Sequence, residues 1–125
     1  SHRVQAMTDY QRNVFMPALR EEAAQAGAKL RRLLPRRLRR GLVNDGRWLQ
    51  PDSRAQLSEW VAQRPRIRTL VEYRARLAAL LEARGHDAAE RLRQLQAWCH
   101  EAEQSGIAAL QAYAARLKGY TLVGA

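Results

Sequence analysis

The residues best suited to chemistry lie in a basic run, KLRRLLPRRLRR, that extends from Lys29 to Arg40. Its leucines recur at the spacings of one helical stripe, and they are Leu30, Leu33, Leu34 and Leu38. Its cations are Lys29, Arg31, Arg32, Arg36, Arg37, Arg39 and Arg40. A helix with an apolar stripe and a cationic face suits a surface of anionic lipid, and the same cations suit the phosphates of nucleic acid. A helix docked by its leucines, with its arginines in water, is the simpler structural interpretation.

The remaining reactive side chains do not form the pattern of an active site. Cys99 and His100 are adjacent, so on a helix their side chains would point about 100° apart and would not share a metal ion without strain. Cys99 also falls on an apolar face beside Trp98, which predicts a buried, inert thiol. The chain has neither a glycine-rich phosphate loop nor a nucleophile elbow. We therefore expect no catalytic residue, no metal ligand and no cofactor in this chain.

The composition predicts an all-α protein. The 125 residues are rich in alanine, leucine and arginine, which favour helices, and no segment alternates polar with apolar residues for long enough to make a sheet. The single cysteine fits a reducing compartment. The sequence shows no run of 18 apolar residues and no signal-peptide pattern, so we expect this chain neither to span a membrane nor to carry an export address.

The periodicity predicts one helical domain over residues 1–125, with five or six helices. Residues 1–27 are expected to form a helix kinked at Pro17, because proline removes a hydrogen bond. Residues 28–41 are expected to form the basic amphipathic helix, with Gly41 as its stop. Residues 53–125 are expected to form the helical core, in which the C-terminal helices pack antiparallel.

Several residues mark the expected boundaries of these helices. Ser53 and Gln56 form a capping-box pattern after a loop that contains Asp45-Gly46. The other boundaries are expected at Pro65, at Gly85, at Asp87 with Glu90, at Ser105-Gly106 and at Gly119.

The net charge of +10 is concentrated in the middle of the chain. Residues 27–54 hold nine basic and two acidic residues, whereas residues 87–125 hold four of each. Trp48 follows the basic run and could lie at a membrane interface. The candidate interface residues, including those for a homodimer, are Trp48, Trp98, Leu110, Tyr113 and Leu117.

Two stretches, RVQAMTDYQRNVFMPALREE and LQAWCHEAEQSGIAALQAYAARLKGYTL, together resemble the C-terminal cytoplasmic region of bacterial membrane-bound fatty acid (acyl) delta-9 desaturases. The most specific part of the likeness is Trp98, Glu101-Ala102-Glu103, Ser105-Gly106-Ile107, Leu110 and Lys118-Gly119-Tyr120. The resemblance implies a parent oxidoreductase of lipid metabolism whose upstream histidine boxes hold two irons and insert a double bond into an acyl chain. None of those boxes occurs here, so this fragment would be a non-catalytic domain.

On this interpretation the chain is a soluble helical fragment at the cytoplasmic face of the bacterial inner membrane. Its partners would be the anionic membrane surface or the parent's membrane domain, and a homodimer is the further expectation. The alternative rests on the last 60 residues, which are also similar to a helical segment of ISL3-type transposases. That resemblance implies a DNA-binding fragment, in which the basic run contacts nucleic acid.

Overall fold

The structure is a computed structural model that describes residues 2–44, 48–82 and 87–123, and all regular structure in these ranges is helical. The first helix, α1, occupies residues 2–26. The others are α2 (Leu30–Leu33), α3 (Arg36–Val43), α4 (Pro51–Ala62), α5 (Pro65–Glu82), α6 (Ala88–Glu103) and α7 (Ala108–Val123). The all-α class is therefore confirmed. The described ranges contain one helix more than the upper prediction of six because the basic run forms two.

Helix α1 changes its geometry just before Pro17. Two α-helical stretches, His2–Tyr10 and Met16–Ala26, are joined by a π-helical turn over Gln11–Phe15. In this turn the Met16 amide donates to the Gln11 carbonyl, five residues back, and Pro17 has no amide hydrogen to donate. A wide turn of this kind is a recognised source of helix distortion. The irregularity that Pro17 predicts is thus a π turn that ends at Phe15.

The basic run is broken at Pro35, so the prediction of one amphipathic helix over residues 28–41 is wrong. Leu34 is extended, at φ −140° and ψ 104°, and Pro35 precedes the first residue of α3. A proline ring clashes with a helical conformation of the residue before it, which ends α2 after Leu33. Because the leucine spacing continues across Pro35, the periodicity predicted an unbroken helix.

Gly41 is not the stop of the basic helix, because α3 continues to Val43. Gly41 is buried, and a Cβ atom at this position would clash with the Leu49 side chain. Leu49 is itself only 3% exposed and has little room to move. The close approach of Leu49 therefore favours glycine at this position, and Gly41 does not end the helix.

Replacing Gly41 by alanine is expected to lower the free energy of unfolding by about 1 kcal/mol. Overpacking of a core costs about 1–3 kcal/mol, and the gain in helix propensity, about 0.5–1 kcal/mol, offsets part of it. Gly119→Ala is the matched control, since nothing lies within 4 Å of its Cβ position, and it should stabilise the protein. If denaturant unfolding ranked the two variants in the opposite order, the close contact between Gly41 and Leu49 would be contradicted.

The boundary predicted at Ser53 is also wrong. Helix α4 begins at Pro51 after Gln50, and Ser53 lies in its first turn, 4% exposed. The Ser53 hydroxyl accepts a hydrogen bond of 2.7 Å from Arg37 Nη2, so this side chain joins α4 to α3. The expected turn at Asp45-Gly46 and the expected helix end at Gly85 lie outside the described residues.

The helix starts in the C-terminal half follow their local signals. Helix α5 begins at Pro65. The Asp87 carboxylate accepts from the Ala89 amide at 3.2 Å, and the Ser105 hydroxyl accepts from the Ile107 amide at 3.3 Å. Gly106 takes the left-handed conformation at φ +77°, which favours glycine. Helix α7 continues past the stop predicted at Gly119.

Most of the core lies between α1, α5, α6 and α7, and it continues to Leu34, Leu42, Leu49 and Leu57. The N-terminal helix and the basic run therefore share the core that was predicted for residues 53–125. Tyr10 of α1 is fully buried, and its hydroxyl donates to the Leu70 carbonyl at 2.6 Å. The Tyr10 ring packs edge-to-face on Tyr113, with centroids 5.2 Å apart, and the Tyr113 hydroxyl donates to the Ala6 carbonyl at 2.9 Å. These contacts fix α1 against both α5 and α7.

Candidate anionic-surface site

The cations of residues 29–40 divide into free and engaged side chains. Five are exposed and have neither an ion pair with a described carboxylate nor a described side-chain hydrogen bond: Lys29, Arg31, Arg32, Arg36 and Arg40. Arg37 is also exposed but donates to Ser53, and Arg39 is half-buried. We call the first five cations the basic surface. No described carboxylate lies within ion-pair distance of these five side chains, which makes this surface a ready site for a polyanion.

The apolar stripe of the basic run faces the protein core. Leu34 is fully buried, and Leu30 and Leu38 pack half-buried against the core. An interfacial helix would need these side chains for the acyl region of a bilayer. In this fold they already anchor α2 and α3, so the basic surface can act only through its charges.

Helix α4 holds the basic surface in place at both of its ends. Near its start, Ser53 accepts from Arg37. Near its end, the Trp60 indole nitrogen donates to the Leu33 carbonyl at 3.1 Å, which satisfies an orphan carbonyl of α2. Arg74 of α5 donates to the Leu42 carbonyl of α3 in the same way, at 2.9 Å. The cations are thus presented on short helices fixed by long-range hydrogen bonds.

Sequence reasoning missed Trp60 and Arg64, which lie beside this surface. The Arg64 guanidinium carbon lies 4.1 Å from the Trp60 ring centroid, a cation–π distance. Arg64 Nη1 also donates to the Trp60 carbonyl at 3.0 Å. The four-residue spacing of a tryptophan and an arginine is the signal that could have identified the pair.

The candidate interface residues fall into two environments. Trp48 is 53% exposed and follows α3 closely in the chain. Trp98 and Leu110 are fully buried and Tyr113 is 3% exposed, all within the core of the single chain, and Leu117 is half-buried. Of these five residues, Trp48 has the largest exposed fraction. Dimerisation through the other four stays a prediction.

Cys99 is buried, as its position on an apolar face predicts. Burial raises the pKa of the Cys99 thiol from 9.0 to about 11, and the neighbouring Glu103 carboxylate acts in the same direction. A thiol with a raised pKa is a poor nucleophile at neutral pH. The environment of Cys99 therefore gives no support to nucleophilic catalysis.

The raised pKa of Cys99 predicts a loss of stability as the pH rises from about 9 to about 11. In this window the unfolded chain has released the thiol proton while the folded chain retains it, so the folded state binds more protons and stability falls with pH. Burial also raises the pKa of the Tyr10 hydroxyl, which acts in the same direction. Denaturant unfolding across this range should show a smaller fall for Cys99→Ala than for the unmodified chain. An equal fall in the stability of the two proteins would contradict the raised pKa of the Cys99 thiol.

Two further kinds of functional feature are absent from the described ranges, residues 2–44, 48–82 and 87–123. None of these helices combines the length and hydropathy needed to cross a bilayer. No group of three or more His, Cys, Asp or Glu side chains is placed there to share a metal ion. No protein-family model, curated protein or solved structure gives a significant match to this chain. In the part of the chain that the structure describes, the fold and the site together define a helical domain with a strongly basic surface.

Proposed function

We propose that this chain is a non-catalytic helical domain that holds the cytoplasmic region of a bacterial membrane fatty acid desaturase against the anionic surface of the inner membrane. The observation that carries the proposal is the basic surface, in which five exposed cations have no described acidic partner. The resemblance of the sequence to the cytoplasmic region of such desaturases supports the choice of parent enzyme. The desaturation chemistry and its two irons belong to the upstream domain that this resemblance implies.

The binding mechanism follows from the burial of the leucines. Because Leu34 is inside the core, attraction between guanidinium groups and lipid phosphates supplies the affinity. A basic residue near an anionic bilayer contributes about 1 kcal/mol, and the attraction decays within a Debye length of about 8–10 Å. Binding of this kind is reversible and depends strongly on salt. Trp48, 53% exposed, adds an aromatic side chain of the type that favours the headgroup region.

Co-sedimentation with vesicles tests the proposal. The chain should bind vesicles that contain phosphatidylglycerol and should not bind vesicles of phosphatidylcholine alone. Raising the salt concentration should release it, because the exposed charges are then screened. Equal recovery with the two vesicle types, or binding that salt does not weaken, would contradict the proposed function.

Burial of the leucine stripe also favours a second candidate, binding to nucleic acid. A cationic surface without an apolar stripe suits the phosphates of duplex DNA as well as it suits lipid headgroups, and the likeness to ISL3-type transposases supports this alternative. Gel-shift titration at physiological salt tests it. Complexes tighter than about 10⁻⁶ M, the strong end of non-specific binding, together with no binding to phosphatidylglycerol vesicles, would establish the alternative in place of the membrane proposal.

A further inference from the structure

Two basic segments that are distant in the sequence are linked by the hydrogen bond from Trp60 to Leu33. Residues 29–40 span α2 and the first part of α3. Residues 64–68, which we call the corner, span the end of the α4–α5 connection and the first turn of α5. The corner contains Arg64, Arg66 and Arg68 within five residues. The indole ring of Trp60 joins this corner to α2.

The contacts of Trp60 define the junction. Its indole nitrogen donates to the Leu33 carbonyl at 3.1 Å, and its ring face carries the Arg64 guanidinium at 4.1 Å. Leu33 directly follows Arg31 and Arg32, which are exposed. The Trp60 ring therefore lies between Arg64 and α2, the helix that carries Arg31 and Arg32 of the basic surface.

The end of α1 reaches the same corner and supplies its nearest described carboxylate contact. Glu21 pairs with Arg66 at 2.9 Å, which leaves Arg64 and Arg68 without an ion pair to a described residue. Arg68 is exposed. Two further carboxylates near this corner are exposed: Glu59, which precedes Trp60, and Glu72, one helical turn after Arg68. Neither forms a described ion pair with Arg64 or Arg68, so both guanidinium groups remain available to an anionic ligand.

We propose that the membrane-binding surface extends from residues 29–40 to Arg64 and Arg68, which bind the phosphates of anionic lipid headgroups together with Arg31 and Arg32. Arg64 is held in position by the Trp60 ring, so less side-chain entropy is lost when it binds a phosphate. The inference rests on the proposed function, and it adds a second segment and two specific residues to the membrane contact.

The test compares two double variants that remove the same charge. Arg64→Gln with Arg68→Gln removes one stacked and one exposed arginine at the corner. Arg91→Gln with Arg116→Gln is the matched control, because Arg91 is exposed on α6 and Arg116 lies over the Tyr113 ring at 6.0 Å on α7. Far-UV circular dichroism and thermal unfolding establish that each variant is folded. The single variant Arg68→Gln, which leaves the Trp60 stack intact, provides a further measure if the double variant unfolds.

Binding to phosphatidylglycerol vesicles at low salt is the readout. The corner double variant should bind about 30-fold more weakly and Arg68→Gln about fivefold more weakly, from about 1 kcal/mol per basic residue and 1.4 kcal/mol per tenfold change. The control should stay within about threefold of the unmodified chain. Equal weakening of the two double variants overturns the inference and leaves the proposed function standing, whereas a failure of the unmodified chain to bind refutes the proposed function itself. Loss of duplex-DNA binding in the corner variant, with no vesicle binding by any of the proteins, assigns the surface to nucleic acid and overturns the lipid assignment.

Discussion

Replacing Trp98 by alanine should lower the free energy of unfolding by about 3–5 kcal/mol, the usual cost of removing a large buried aromatic side chain. Trp98 is fully buried, and its ring packs edge-to-face on Tyr73 and Tyr113, with centroids 5.9 and 6.0 Å away. Its indole nitrogen donates to the Tyr73 carbonyl at 3.0 Å. The substitution therefore leaves a cavity where α5, α6 and α7 meet and also removes a hydrogen bond. Domains of this size have about 5–15 kcal/mol of stability in total, so the loss is a large share of it.

Chemical denaturation followed by circular dichroism measures this effect, and Trp48→Ala is the control. Trp48 is 53% exposed, so its removal should change the stability by no more than about 0.5 kcal/mol. Trp98→Phe keeps an aromatic ring but loses the indole donor and part of the indole volume, so it should destabilise the protein less than Trp98→Ala. If Trp98→Ala were no more destabilising than Trp48→Ala, the placement of Trp98 in the core would be wrong.

The second large effect is expected from reversing the charges of the basic surface. Substituting Arg31, Arg32, Arg36 and Arg40 by glutamate should weaken binding to phosphatidylglycerol vesicles at least about 10³-fold. Loss of four cations at about 1 kcal/mol each already accounts for this factor, and the new carboxylates add repulsion. All four side chains are exposed, so the free energy of unfolding should change little.

A control with the same net charge separates the local surface from the total charge of the chain. Arg12, Arg91, Arg93 and Arg116 are also exposed, and their reversal changes the net charge by the same amount. Vesicle co-sedimentation should show a much smaller loss for this control. Equal losses in the two variants would indicate that total charge governs binding, and the assignment of the basic surface would then fail.

The parts of the fold that the sequence predicts correctly depend on short-range interactions. Asp87 and Ser105 bond to amides two residues ahead, and Pro65 needs no amide partner in the first turn of α5. Each of these signals is complete within one turn of chain. The all-α class and the buried thiol of Cys99 follow in the same way from composition and periodicity.

The features that the sequence did not predict depend on neighbours that are distant in the chain. Gly41 stays inside a helix because Leu49 packs on it, and Ser53 is buried because Arg37 reaches it from another helix. The link from Trp60 to Leu33 spans 27 residues, so no local pattern could place Arg64 beside α2. Pro35 is the exception. A proline locally disfavours helix at the residue before it, but the prediction followed the leucine spacing, which continues across Pro35.

The hydrogen bond from Tyr113 to Ala6 joins residues that are 107 positions apart. On a ribosome, α1 would therefore emerge long before α7, the helix that covers one side of it. Its buried face, with Val14 and Phe15, would lack the cover of α7 until that helix is synthesised, and domains generally fold as units. The contact thus predicts that this domain gains its full native stability only after α7 has left the exit tunnel.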